Sequence, residues 1–350
     1  MGEAAPASRP LRVTVVLLDD GLSSTAIMPI EIFHSAGTLW RELHGQAPEP
    51  RFVVTTASLD GRPVRSPYGL TIAPEAAIDA VERTDIVVIP TSGLKLDEKL
   101  LANSALLPWL RRQYEQGAHI AGVCMGAAYL AEAGLLAGRT GTTHWAVAAD
   151  FAKRYPGTTW RPELMVTEDS RLLCSGGVCA SIDVSLYLVE KFCGHEVTMQ
   201  CAKALLLNMP RLHQGGYAVL PLSPDHDDDR VREIEGFLQA SFREDISLDA
   251  LAGRAGMTAR TFLRRFKAAT GRVPGAYLQA VRVEHAKTML EVEGWPVQAI
   301  SSEVGYDDAA FFRELFKRST GMTPMQYRSR FASMAVRAPA AFGASPHSTM

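Results

Sequence analysis

The sequence predicts an α/β domain with a mostly parallel sheet, followed by an all-helical domain built from a two-helix unit that occurs twice. Two observations carry this reading. Along the first part of the chain, short apolar runs alternate with helix-length stretches, the pattern of strands buried on both faces by crossover helices. Near the end, TARTFLRRFKAATGRVPGAY (Thr258 to Tyr277) is answered by DAAFFRELFKRSTGMTPMQY (Asp308 to Tyr327). Laid over each other, Phe262, Phe266, Lys267, Thr270, Gly271, Pro274 and Tyr277 meet the same residue types at Phe312, Phe316, Lys317, Thr320, Gly321, Pro324 and Tyr327.

With 350 residues and 47% hydrophobic content, the chain can bury two cores. The net charge of -2 hides an asymmetry: Arg230 to Arg330 carries 16 Lys/Arg against 12 Asp/Glu, and the rest of the chain is acidic. Arg254 to Arg272 holds six basic residues and no acid, a phosphate footprint or simply a solvated helix face. The 5 cysteines, Cys124, Cys174, Cys179, Cys193 and Cys201, form no C-x-x-C pair, so neither a disulfide framework nor a zinc site is expected, and no cofactor. No leader and no apolar run of bilayer length is apparent, which makes the cytoplasm, with the bacterial nucleoid, the expected location.

Taken in order, Leu11 to Leu18, Phe52 to Ala57, Ile86 to Ile89, His119 to Val123 and Leu172 to Ser175 read as strands. Between them, Ala26 to Leu43, Leu96 to Gln116, Ala127 to Leu136, Trp145 to Tyr155 and Ile182 to Phe192 read as helices, giving a flavodoxin-like sheet covered on both faces. Such sheets bind ligands beyond the C-terminal ends of their strands. Here those loops are Asp19 to Ser24, Pro90 to Leu94, Cys124 to Gly126 and Ser175 to Cys179. A dinucleotide fingerprint is missing after the first strand, which runs into DDGLSST.

The fourth strand instead ends in Gly122-Val123-Cys124-Met125-Gly126 and enters an Ala-rich helix, the G-x-C-x-G pattern of a nucleophile elbow. A catalytic Cys124 needs a base, for which His144 in Thr143-His144-Trp145 is the candidate. The alternative makes Cys124 a pocket-lining residue and His144 a packed loop histidine. The expected pocket comprises Ser92, Gly93, Cys124, Met125, His144, Gly176 and Gly177.

The stretches GVCMGAAYLAEAGLLAGRTGTTHW and CSGGVCASIDVSLYLVEKFCG resemble the class I glutamine amidotransferase-like (intracellular protease-like) domain of GlxA-type regulators, over Leu11 to Met209. Cys124 falls on the elbow cysteine of that superfamily, and Thr143, His144, Trp145 and Asp183 on recurrent positions. Two departures bear on activity. Protease-like members place a His after the cysteine, where this chain has Met125; several enzymes place a carboxylate four residues before a proline, where alignment on Pro29 gives Thr25. Glu31 is near but falls after that proline. The resemblance therefore implies a binding domain without catalysis, with a cysteine-dependent amidase, hydratase or protease as the alternative.

Asn208 to Asp229 lacks periodicity and is rich in Pro, Gly and Asp, as a linker is. Arg230 to Phe242 is an amphipathic helix, and Leu248 to Ala255 follows Ser247 as N-cap. Gly256-Met257 turns into the first copy of the repeat, which makes a helix-turn-helix unit. In the second unit Pro296 to Val304 is the scaffold helix and the turn is one residue longer. Helical phase puts Phe262, Phe266 and Ala269 inside and Arg260, Leu263, Arg264 and Lys267 outside, with Arg265 on the flank facing phosphate. In the second copy, Ala309, Ala310, Arg313 and Glu314 face out, with Lys317 and Arg318 behind. Pro274 to Leu290, one helix of about 25 Å, sets the spacing of the two readers.

RTFLRRFKAATGRVPGAYL and GYDDAAFFRELFKRSTGMTPMQYR resemble the C-terminal DNA-binding domain of the AraC family, over Arg230 to Phe331. That resemblance implies a bacterial transcriptional regulator, often an activator, that binds duplex operator DNA. Its partners would be a small-molecule effector, a second copy of the chain and, for an activator, RNA polymerase. The expected domains are then 11–209 and 230–331, joined by a linker at 210–229, with disordered ends at 1–10 and 332–350.

Overall fold

The structure, a computed structural model, describes residues 9–209, 211–218, 223, 226–292 and 294–332. Most of the expected disordered ends lies outside these residues. Arg9, expected in the disordered start, is paired instead: its guanidinium donates to both oxygens of Asp85 at 3.0 Å. The chain divides into two compact units at Gln214 and Gly215, inside the stretch expected to be a linker.

In the first unit the strands, in chain order, are β1 (Leu11–Val16), β2 (Phe52–Ser58), β3 (Val64–Arg65), β4 (Thr71–Ile72), β5 (Ala76–Ala77), β6 (Ile86–Ile89), β7 (His119–Val123), β8 (Thr140–Gly141), β9 (Thr159–Trp160), β10 (Val166–Asp169) and β11 (Leu172–Ser175). The helices are α1 (Ser24–Ser35), α2 (Leu39–Leu43), α3 (Leu96–Ala102), α4 (Leu106–Glu115), α5 (Ala127–Glu132), α6 (Ala148–Arg154) and α7 (Ala180–Ala204). Seven strands form one sheet in the order β10-β11-β7-β6-β1-β2-β5. All its pairs are parallel except β10 with β11. Val13, Val15, Ile86, Val87, Val88, Ile89, Ile120 and Ala121 are wholly buried, as strands covered on both faces must be. This is the mostly parallel sheet with helices that the sequence pattern predicts.

The differences have local causes. The first expected helix breaks at Gly37 (φ 80°), whose added Cβ would meet the Glu49 carbonyl oxygen at 2.1 Å. The second breaks between Ala102 and Leu106, where the Asn103 amide turns back to the Lys99 carbonyl at 2.7 Å. The last expected helix runs on to Ala204 past a kink at Gly194. The β3–β4 and β8–β9 pairs and the antiparallel edge β10 were not expected, because two to four residues carry too little periodicity to read.

The second unit is helical: α8 (Asp229–Ala240), α9 (Leu248–Arg254), α10 (Ala259–Thr270), α11 (Pro274–Val292), α12 (Val297–Glu303), α13 (Ala309–Thr320) and α14 (Pro324–Phe331). It has two cores. Val231, Ile234, Leu238, Leu251, Phe262, Phe266, Tyr277 and Val281 make one; Val283, Leu290, Ile300, Val304, Phe312, Phe316 and Tyr327 make the other. The helix α11 supplies residues to both.

Repetition in sequence becomes repetition in geometry. Phe266 meets Tyr277 edge-on at 5.5 Å, and Phe316 meets Tyr327 in the same way at 5.4 Å. The Thr270 hydroxyl donates to the Phe266 carbonyl at 2.8 Å and accepts from Arg272 N–H at 3.2 Å; Thr320 does the same with Phe316 and Met322. Gly271 (φ 73°) and Gly321 (φ 76°) end α10 and α13 in the left-handed conformation that favours glycine.

Candidate functional site

The helices α10 and α13 begin alike. Thr258 caps α10 by accepting from Thr261 N–H at 3.4 Å, and Asp308 caps α13 by accepting from Ala310 N–H at 2.8 Å. On α10, Phe262, Phe266 and Thr270 turn inward, Leu263 is half-buried, and Arg260, Arg264 and Lys267 are exposed. Arg265 departs from its expected phosphate role. It makes two hydrogen bonds to the Asp228 carboxylate, at 2.9 and 2.8 Å, and Asp228 itself caps α8 through Val231 N–H. The hydrogen bond from Arg265 helps to hold the Asp228 carboxyl below its ordinary range. These bonds tie α10 to the N-cap of α8.

On α13, Phe312, Leu315, Phe316 and Thr320 are buried, and Ala310, Arg313, Glu314, Lys317 and Arg318 are exposed. Ala309, expected to face out, is buried at 6% exposure. It takes the place of Ala259, which packs on the first core, because the first residue after each cap is drawn under the preceding turn. Phe311 was missed: its ring is 48% exposed and lies 5.8 Å from that of Tyr306. The repeat itself pointed to it, since Phe311 aligns with the polar Thr261 and not with a core position.

In the first unit, β7 turns sharply into α5. A Cβ on Gly126 would lie 2.4 Å from the Ile89 carbonyl oxygen, and one on Gly122 would lie 2.8 Å from Ala127 Cα. Cys124 has φ 56°, the strained conformation of an elbow nucleophile. Its thiol is nevertheless covered, at 6% exposure. Burial raises its pKa, only partly offset by hydrogen bonds from Met125 N–H, the Thr91 hydroxyl and the His144 backbone N–H.

His144 thus approaches the sulfur with its backbone. Its ring Nδ1 accepts from Ala146 N–H at 3.1 Å, and burial lowers the imidazole pKa, so the ring stays neutral near neutral pH. Gly177 packs against that ring, where a Cβ would meet Cδ2 at 2.8 Å. Gly176 packs on the side-chain amide of Gln214, a residue in the expected linker. Gln214 is 2% exposed, and its amide donates to the Thr143 carbonyl at 2.8 Å, the Leu164 carbonyl at 3.1 Å and the Thr142 hydroxyl at 3.2 Å. Nearby in sequence, Arg211 is held by Asp183, which accepts its backbone N–H at 2.6 Å.

Of the expected pocket residues, Ser92, Cys124 and Met125 are buried, and His144 and Gly177 are in contact. Gly93 lies against the Asp20 carbonyl, in a different loop.

Comparison with known proteins decides the family. Residues 251–330 match the helix-turn-helix domain family, and residues 12–191, more than half of the chain, match the DJ-1/PfpI family. The chain belongs to the DJ-1/PfpI family. It joins that domain to an AraC-type helix-turn-helix domain and is a DNA-binding transcriptional regulator of the AraC family. The HTH-type transcriptional regulator CdhR of Pseudomonas aeruginosa is 26% identical over 287 residues, covering 81% of this chain and 83% of its own. GlxA of Rhizobium meliloti, also an HTH-type transcriptional regulator, is 25% identical over 290 residues, covering 82% and 88%. The crystal structure of an AraC family transcriptional regulator from Pseudomonas putida matches 56% of this chain and 100% of its own, with a TM-score of 0.47 at 23% identity.

In this DJ-1/PfpI domain the position expected for a carboxylate is filled by a satisfied hydroxyl. Thr25 is wholly buried, donates to the Leu22 carbonyl at 2.6 Å and accepts from Thr91 N–H at 3.2 Å. In the AraC-type domain, packing and capping account for the repeated Phe, Thr, Gly and Tyr pairs. Lys267 and Lys317 are the exception: both are exposed, and among the described residues neither side chain has a hydrogen bond or an ion pair.

Proposed function

We propose that this regulator reads two adjacent major-groove segments with α10 and α13, and that an effector held around Cys124 controls the reading. Arg260, Arg264 and Lys267 carry the first contact. Ala310, Arg313, Glu314, Lys317 and Arg318, with Phe311, carry the second. The two grips are unequal: α10 exposes Arg260 and Arg264 in its first two turns, suited to guanine edges, whereas α13 exposes one cation there, Arg313, beside Ala310, Phe311 and Glu314. The arrangement favours duplex DNA over a protein partner, because both helices expose cations, Lys267 and Lys317 recur at matching phase, and the repeated aromatic residues face inward.

On the sensing side, the buried amide of Gln214 carries the proposal. It is bound to the loops holding Thr143, His144 and Gly176, and it immediately precedes Gly215, where the DNA-reading unit begins. A ligand that displaces those loops loosens the attachment of the chain leading to the reader. Such a ligand acts only through its different affinity for the attached and loosened states. Cys124 then serves as a wall of the pocket and not as a nucleophile, since burial raises its thiol pKa and the His144 Nδ1 is already engaged by Ala146 N–H. The protein acts as a dimeric activator that contacts RNA polymerase in the cytoplasm.

The experiment is a promoter footprint with the full-length protein, followed by reporter assays of Gln214→Ala and Gln214→Glu. Both variants are expected to bind the operator with unchanged affinity while transcription no longer follows the inducing condition. Induction identical to wild type in both would overturn the role of Gln214 in the coupling.

A further inference from the structure

A shallow cleft opens in the first unit beside the elbow, with enclosed space of only about 20 Å³; its Pro90 wall also abuts Gly126. Its walls come from the end of β1, the loop into α1, Pro90 after β6, and the small β3–β4 hairpin. Leu17, Leu18, Leu22, Val64 and Ile72 make it apolar. None of the seven residues expected to form the effector pocket lines it.

Two serines, Ser23 and Ser66, are among the residues that line this cleft. The Ser23 oxygen is buried and has no hydrogen-bond partner. The Ser66 oxygen accepts from Tyr68 N–H at 3.3 Å and from Leu70 N–H at 3.1 Å. Those two bonds use the acceptor capacity of a hydroxyl and leave its proton to donate. A buried hydroxyl without a partner is costly, and native proteins retain few of them without a reason. Here one orphan and one unused donor share an apolar cleft that no ionisable side chain lines.

The hairpin over the cleft is slight. It is a separate two-stranded sheet with two residues in each strand. Its attachment to the β1 end is a clasp: Asp20 N–H donates to the Arg65 carbonyl at 2.8 Å, and Arg65 N–H donates to the Asp19 carboxylate at 2.8 Å. Asp20 has φ 56°, and its carboxylate meets Lys99 at 2.6 Å. A wall held by so few bonds can lift to admit a ligand, as low-stability segments do.

We infer that the cleft under the β3–β4 hairpin binds a small uncharged molecule, an apolar body with one accepting oxygen, which takes hydrogen bonds from the hydroxyls of Ser23 and Ser66. An anion is disfavoured, since the lining offers no cation to offset its desolvation. The enclosed space holds little more than a water molecule, so even a compact ligand enters only when the hairpin lifts. This site goes beyond the effector reading above and stands independently of it.

The test uses cyclopentanone as probe and cyclopentane as its oxygen-free counterpart, with the full-length protein labelled at Leu, Val and Ile methyls. Saturable shifts of the Leu22, Val64 and Ile72 methyl signals are expected with cyclopentanone, and binding about tenfold weaker in Ser23→Ala, the effect of one lost hydrogen bond. Ala26→Ile, which fills the cleft from α1, should abolish the shifts. If Ala26→Ile does not fold, Ser23→Ala alone decides, because it removes an unpaired hydroxyl and leaves the packing intact. Equal affinity for the two probes, no saturable shift at those methyls, or unchanged affinity in Ser23→Ala would each overturn the proposal. Shifts abolished by Cys124→Ser and kept in Ser23→Ala would also overturn it by moving the site to the elbow, leaving the effector reading intact.

Discussion

Cys124 and Cys179 both lie at turns that lead into helices of the DJ-1/PfpI domain, but only Cys179 meets solvent. The nucleophile in alkylation is the thiolate, and burial pushes the Cys124 thiol up. Iodoacetamide at neutral pH should therefore modify Cys179 well before Cys124, as peptide mass spectrometry would show. Equal rates would contradict the closed elbow. Burial also pushes Cys193 up to about 11, and Cys174 and Cys201 up to about 12, from an ordinary 9.0. The unfolded chain ionises these thiols at the ordinary value, so it binds fewer protons than the folded protein above that pH. Stability should fall as pH rises from about 9 towards 12, and substitution of Cys174 by Ala should lessen the slope. Among the arginines, Arg264→Ala should cost about 1–3 kcal/mol of DNA affinity, concentrated on one base pair. Arg265→Ala should lower the melting temperature and leave sequence preference unchanged, because its partner is Asp228. The sequence showed both arginines near the outer face of α10; it could not show that a carboxylate from the preceding segment captures one of them.

The two reading helices were legible as elements because each has its own cap, aromatic pair and glycine stop within twenty residues of sequence. Lys267 and Lys317 are matched in both copies and, among the described residues, have no side-chain partner, so each should contribute one phosphate contact. Lys267→Ala and Lys317→Ala should each weaken binding evenly across sequences and flatten the dependence of log K on log salt by about 0.9. A loss confined to one base pair would reassign the residue to base reading. Phe266→Ala and Phe316→Ala should each cost about 3–5 kcal/mol of stability, read from denaturant unfolding, since both rings are wholly buried. Elements of the sheet were legible where four or more apolar residues run together, as in β6 and β7. The hairpin β3–β4 was not, because its strands hold two residues each and depend on Asp19 and Asp20 from another loop. Ala309 was misread for a related reason: phase fixes a helix face only to within the half-turn set by its cap.

Across the whole molecule, the two classes of domain could be read from composition and periodicity, since each has a period of its own. Long-range polar contacts could not. Gln214 sits in a stretch without periodicity, and only the folded chain brings its amide to Thr142, Thr143 and Leu164. Arg282 is a second case. From the middle of α11 it donates to the carbonyls of Phe242 at 2.7 Å, Glu244 at 2.9 Å and Gly305 at 3.0 Å. Lys cannot span three carbonyls with a planar fork, so Arg282→Lys should resemble Arg282→Ala in melting temperature. Full rescue by Lys would show that charge alone suffices there.

That knot sits midway along a helix of 19 residues, about 28 Å long, which enters both cores of the DNA-reading domain. Such a helix cannot stretch without breaking one core or the other. The distance between α10 and α13 should therefore stay fixed, and with it the gap between the two DNA segments they are proposed to read. An effector can alter how often an operator is occupied, or how two copies are paired on it, but not the gap within one copy's footprint. Operators selected from random sequence with and without inducer should differ in strength and share that gap to the base pair.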